Sequence, residues 1–178
     1  MNLDSRIQDR LNSICENEQE FLEAFTNRLK EKGEGVSFHL GLFNKQRALG
    51  FCGGPKDVYI SDELFTYPPM FLLFVLLHEV VHTGHDWKHA CSLDYEGYTA
   101  EVNRFENEAN GFAFEVLEEL KEIAFEHQID SVIAQCDQVI SHTELKFDET
   151  YGVIYNTVGA DLNFEDHVGE LIKPLESV

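Results

Sequence analysis

Apolar residues recur at intervals of three and four from the start of the chain. Leu3, Ile7, Leu11, Ile14, Phe21, Leu22, Phe25 and Leu29 keep that spacing, which is the period of a helix with one buried face. It predicts a helix over about residues 3–32, stopped by Gly33 and Gly35. The period then changes. Val36 to Phe43 alternates apolar with polar or small residues and predicts a strand. Ala48 to Cys52, before Gly53-Gly54-Pro55, predicts a second strand, and Asp57 to Ser61 a third. Tyr67-Pro68-Pro69 marks the entry to the next helix, because proline is tolerated in a first helical turn. That helix is continuously apolar through Leu77 and stops at Gly84. Residues 85–98 have no clean period and read as a loop. A long amphipathic helix from about Thr99 to His127 follows, then a helical stretch over about 129–145, a strand-like Tyr151 to Val158 and a polar end after Gly159.

Helix, small sheet, then helices is the order of an α+β fold. No repeat, low-complexity stretch or linker divides the 178 residues. They are expected to form one domain: an N-terminal helix to residue 35, a core over 36–120, and a C-terminal helix and tail over 121–178.

Composition adds limits. The chain is 43% hydrophobic and has 14 Phe, so it can build an aromatic-rich core and is not a disordered chain. Its 33 acidic and 13 basic residues give a formal charge of −20. Such a surface repels phosphate backbones and anionic lipid, which argues against direct nucleic-acid or membrane partners. The opening Met1-Asn2-Leu3-Asp4-Ser5-Arg6 is not an apolar leader, and the apolar run around Leu73 is too short for a bilayer span. Cys15, Cys52, Cys91 and Cys136 are scattered with no Cys-x-x-Cys pair. This excludes a zinc ribbon or thioredoxin motif and suits free thiols in a reducing cytoplasm.

The candidate chemistry lies at the end of the apolar helix, at His78-Glu79-Val80-Val81-His82. Residues four apart on a helix are about 400° apart, almost one above the other. His78 and His82 can therefore offer two imidazole nitrogens to one metal. Glu79 lies about 100° further round the helix and can act on a water there without being a ligand. Two histidines on an apolar helix can also be satisfied core residues, but two His and one Glu on so apolar a segment are costly to bury without a partner. A metal is such a partner, and this pattern is what a zinc hydrolase with a glutamate base requires.

A catalytic zinc commonly takes three protein ligands. His85 and His89 are near in sequence, but Gly at 85 and His at 88 would be needed for the His-Glu-x-x-His-x-x-Gly-x-x-His spacing, and the chain has His85 and Lys88. Both histidines read more simply as solvated loop residues. On the long helix, Val102, Phe105, Ala109, Phe112, Ala113, Val116, Leu117 and Leu120 form an apolar stripe. At about 100° per residue, Glu106 falls within the half of the helix centred on that stripe, and Glu108 roughly twice as far from its centre. Glu106 is therefore the inward carboxylate. Asn110, one turn on, can accept the free ring N–H of a metal-bound histidine and so fix its orientation.

An active-site helix with His-Glu-x-x-His, followed by Glu106-Asn107-Glu108-Ala109-Asn110-Gly111-Phe112-Ala113, resembles the ImmA/IrrE family of gluzincin-type metallopeptidases. The resemblance covers about residues 36–120, with 23 residues between His82 and Glu106. It implies a zincin-like fold, a small mixed sheet packed on the active-site helix and on a long helix carrying the third ligand. It implies zinc held by His78, His82 and Glu106, with Glu79 as base. It also implies a protein substrate such as a helix-turn-helix repressor, cleaved in the cytoplasm.

By residue type alone, Tyr98, His142, Tyr151 and Tyr155 are candidates to steady an oxyanion. The strand at Val58 to Ile60 is a candidate edge for an extended substrate. Two rivals remain: a non-catalytic zinc-binding regulatory or interaction module, and a zinc hydrolase of another bond. Absence of Pro-Cys-x-x-Cys argues against a nucleobase deaminase.

Overall fold

The computed structural model describes residues 1–15, 19–43, 49–141 and 172–174. The helix end expected over 142–145, the strand-like Tyr151 to Val158, and His142, Tyr151 and Tyr155 lie outside the described residues.

The fold is mixed α and β, with a small mixed sheet against helices. The strands are β1 (Asn2–Leu3), β2 (Ser37–Phe43), β3 (Gly50–Gly54) and β4 (Asp57–Ser61), in the order β1-β2-β4-β3. β2 runs parallel to β1 and β4, and β3 antiparallel to β4. A further strand, β5 (Ile172–Pro174), pairs antiparallel with the far half of β2, beyond β1. It falls in the stretch expected to be a polar end.

The strands alternate as a half-covered sheet should. Phe38 and Leu40 of β2 and Val58 and Ile60 of β4 are buried, while His39 and Tyr59 between them are half-buried. β3 and β4 form a hairpin across Pro55-Lys56, two residues later than the Gly53-Gly54 stop suggested. Gly54 makes this possible, with φ at +140°, which side chains rarely tolerate.

The N-terminal stretch is two helices, not one: α1 (Ser5–Asn12) and α2 (Gln19–Lys32). Asp4 caps α1 by accepting from the Arg6 N–H, and this frees Asn2 and Leu3 to pair with β2. Ser13 ends α1, its hydroxyl donating to the Arg10 carbonyl. Ile7, Leu11, Phe21, Phe25 and Leu29 are buried, so the apolar stripe is real although the helix breaks.

A one-turn 3-10 helix (Asp62–Thr66) leads into α3 (Pro69–His82). Met70 to Leu77 are all buried, as expected of a helix apolar on all sides. α3 is the centre of the molecule: it packs against α5 (Tyr95–Glu126), β3, β4, α1 and α2. Each such large apolar side chain stabilises the fold by about 1.5–3 kcal/mol relative to exposure.

The stretch read as a loop over 85–98 holds a short helix, α4 (Trp87–Cys91), and the first turn of α5. Both begin at aspartate caps: Asp86 accepts from the His89 N–H, and Asp94 from the Gly97 N–H. One turn of capped helix carries no period, which is why the pattern missed it. Residues 130–141 form a last described helix, α6, with Val132, Cys136 and Val139 in the core. Among the described residues no helix is long and apolar enough to cross a membrane. Cys15, Cys52, Cys91 and Cys136 are all unpaired, and burial pushes the Cys52 and Cys136 thiols up to about 12.

Candidate metal centre

α3 ends where its chemistry begins. Pro69 starts the helix, and Thr83 closes it by donating its hydroxyl to the Val80 carbonyl. His78 and His82 stand one turn apart, with ring centroids 4.7 Å apart and their Nε2 atoms 3.0 Å apart. α5 crosses this end of α3 and brings in Glu106. One Glu106 oxygen is 3.3 Å from His78 Nε2, and the other is 3.5 Å from His82 Nε2. His78, His82 and Glu106 form the one group among the described residues that can hold a metal ion, with the ligating atoms all within 4.8 Å of one another.

Electrostatics follow from three ionisable groups in a largely dry setting. Burial pushes the Glu106 carboxyl up, but hydrogen bonds and charge from His78 and His82 outweigh it and hold Glu106 well below the usual carboxylate range. Burial disfavours a charged His78, yet its bonds to Glu106 and Asn110, with the Glu79 and Glu106 charges, leave its pKa raised. A cation in this space would meet a carboxylate already ionised.

Glu79 is buried and sits on the side of α3 that faces β3. Its carboxylate accepts the Cys52 backbone N–H. Gly50 makes room for it: a Cβ there would lie 2.6 Å from Glu79 Cγ and 2.7 Å from its Oε1. Burial raises the Glu79 pKa against the opposing pull of His78 and His82. The carboxylate thus feels both imidazoles while being held by the backbone of a neighbouring strand.

Asn110 Oδ1 is 2.8 Å from His78 Nδ1. Because His78 Nε2 faces the cluster, Nδ1 carries the hydrogen and donates to the amide oxygen. Glu108 stands away from the cluster, half exposed, and binds His85 and Arg104 instead. His89 is exposed on α4. His85, expected to be a solvated loop residue, has a side chain only 8% exposed. Its Nδ1 is 3.1 Å from His82 Nδ1 and its Nε2 is 3.0 Å from Glu108 Oε2. The turn at Gly84 carries it back over the helix end, where it stacks on Phe105 at 4.1 Å between centroids.

Trp87 also packs on this helix end. Its indole N–H donates to the His82 carbonyl, and its ring is 5.5 Å from the His82 ring. A sequence signal for this pair existed only in retrospect: two aromatic side chains just after a helix stop can fold back on its last turn. Tyr98 lies on α5 and is half-buried, burial raising its hydroxyl pKa.

The expected substrate edge is corrected. β4, which holds Val58 and Ile60, is paired on both sides, by β2 and β3. β3, like β1 and β5, has one flank unpaired by any described strand, and of these it is the strand against Glu79.

Compared with protein-family models, with curated proteins and with solved structures, the chain matches none.

Proposed function

We propose that the protein is a zinc-dependent peptidase with a zincin-like site, in which His78, His82 and Glu106 hold the metal and Glu79 is the general base. One observation carries this reading: a buried carboxylate outside the ligand set, Glu79, adjoins a His-His-Glu cluster whose atoms converge. A closed structural zinc site has no use for such a group, whereas a catalytic site with three protein ligands keeps a position for water.

The donor set suits zinc. Two imidazole nitrogens and a carboxylate are usual zinc donors, and tetrahedral bonds of about 2.0–2.1 Å separate donors by about 3.3 Å. The separations here are 3.0, 3.3 and 3.5 Å. When bound, zinc supplies a Lewis acid that polarises the scissile carbonyl and acidifies water. Glu79 takes a proton from the attacking water and passes it to the leaving amine nitrogen, so one water is consumed per peptide bond broken. The Cys52 N–H and the gap at Gly50 keep Glu79 aimed.

β3 is the edge on which an extended peptide would pair, in place of β4. The strongly acidic chain favours a protein or peptide substrate over nucleic acid. The likeness of the two helix motifs to the ImmA/IrrE family makes a transcriptional repressor the first substrate to try. Four unpaired cysteines suit a reducing cytoplasm as the place of reaction.

The test is Glu79→Gln. It should keep bound zinc and lose about 10²–10⁴-fold in peptide hydrolysis. A wild-type protein that binds zinc but cleaves none of a repressor panel would point to the non-catalytic zinc module instead. Undiminished cleavage by Glu79→Gln would remove Glu79 from the mechanism.

A further inference from the structure

The two imidazoles of the cluster are backed by different groups. His78 has the neutral amide of Asn110. His82 has His85, which is not one of the metal-capable group. Tautomers decide what this contact is. His82 Nε2 faces His78 and Glu106, so for His82 to be a ligand its Nδ1 must carry the hydrogen. That N–H then donates to His85 Nδ1, 3.1 Å away. His85 must therefore carry its own hydrogen on Nε2, which donates to Glu108 Oε2 at 3.0 Å. Each donor meets an acceptor, and with both rings neutral and His82 Nε2 left free for a metal, no other assignment keeps both bonds.

The ends of this chain are fixed. Arg104 pairs with the other Glu108 oxygen and with Glu101. The His85 ring lies flat on Phe105, 9° from parallel, with Trp87 edge-on to Phe105. A ring so packed cannot swing away from His82 without losing the stack.

We propose that His85 and Glu108 are positioning residues: an imidazole–carboxylate relay that locks the tautomer and ring angle of His82 and so sets the affinity of the site for zinc. The inference rests on the zinc reading above, and it gives a task to the two residues, His85 and Glu108, that the ligand set leaves over. Glu108 acts only through His85. Outer partners of this kind are worth about 10–100-fold in metal affinity.

The experiment is a zinc titration of the metal-free full chain, read by the fluorescence of Trp87, the single tryptophan, and by the visible spectrum of the cobalt-substituted protein. His85→Phe keeps a ring on Phe105 but removes the acceptor, and should weaken zinc about 10–100-fold and alter the cobalt spectrum. His85→Gln restores an acceptor and should recover most of that loss. Glu108→Ala should weaken zinc several-fold in the wild-type background and add nothing to His85→Phe, because coupled residues are non-additive. If His85→Phe fails to fold, the half-exposed Glu108 carries the test: Glu108→Gln still accepts from His85 and should bind zinc more tightly than Glu108→Ala. Wild-type affinity in His85→Phe, or a full Glu108→Ala loss on top of it, overturns the relay. A wild-type chain that takes up no zinc would instead overturn the metal reading beneath it.

Discussion

His78 and His82 are one helical turn apart on the same face, yet they are held in different ways. Behind its Nδ1, His78 has one residue of α5, Asn110, through a single hydrogen bond to a neutral amide. His82 is steadied from its own side of the chain: His85 contacts its ring nitrogen, Trp87 takes its carbonyl, and Glu108 anchors His85 from α5. The difference teaches where orientation comes from. The first imidazole depends on α3 and α5 staying in register, and the second on the turn at Gly84 folding back. Glu79 is a third case, held by the backbone of β3.

The largest effect should come from the group the two imidazoles share. Glu106→Ala removes the carboxylate that faces both, and should cost zinc affinity more than about a hundredfold, beyond the range of outer partners. Calorimetric titration checks this; if Glu108→Ala is the more damaging change, the helix-face assignment is wrong.

Gly50→Ala addresses the backbone-held group. The new methyl would displace Glu79, and an ångström of misplacement costs about a hundredfold in rate. Zinc affinity should stay near wild type, so hydrolysis and metal content measured together separate base positioning from metal binding. Equal loss of both would mean that β3 supports the metal site as well.

Asn110→Ala sharpens the comparison of the two imidazoles. It should weaken zinc about 10–100-fold, and Asn110→Asp, which keeps an acceptor, should restore it. An effect of Asn110→Ala as large as that of Glu106→Ala would show that α5 has moved, not merely that His78 has lost its partner.

The smallest effect is in pH. The His78 pKa is raised, so its contribution to metal-free stability is complete below the unfolded value of about 6.5 and is lost as pH rises through the folded value. Glu79, also raised, acts in the same direction, starting from its lower unfolded value. Glu106, held low, contributes above the usual carboxylate range and loses that contribution only as pH falls through its depressed value. The melting temperature of the metal-free protein should therefore fall as pH rises above neutrality. Zinc requires a neutral His78, so the stabilisation added by zinc should grow over the same range. Parallel melting curves with and without zinc check both signs.

Much of this was legible in the residues. The apolar run before His78 announces a buried helix, and Met70 to Leu77 are buried on every face. The stripe on α5 singles out Glu106 and sets Asn110 one turn on, because a long regular helix lets angles be counted from the sequence; that Asn110 meets His78 is seen only in the fold. The break between α1 and α2 was hidden because the apolar spacing continues across it. Alternation alone offers β4 as an edge, because pairing order cannot be read from it. The relay escaped for a related reason. His85 lies three residues after His82, but its position depends on one turn at Gly84 and on a carboxylate 23 positions further along, at Glu108. No period reports such a meeting.

Zinc content is the most direct measure of the central claim. The purified chain, made metal-free and then titrated, should bind one zinc ion with high affinity, and His82→Ala should abolish that uptake while the apolar core keeps the metal-free chain folded. A wild-type protein without stoichiometric zinc, or a His82→Ala protein that binds it equally well, would contradict the account.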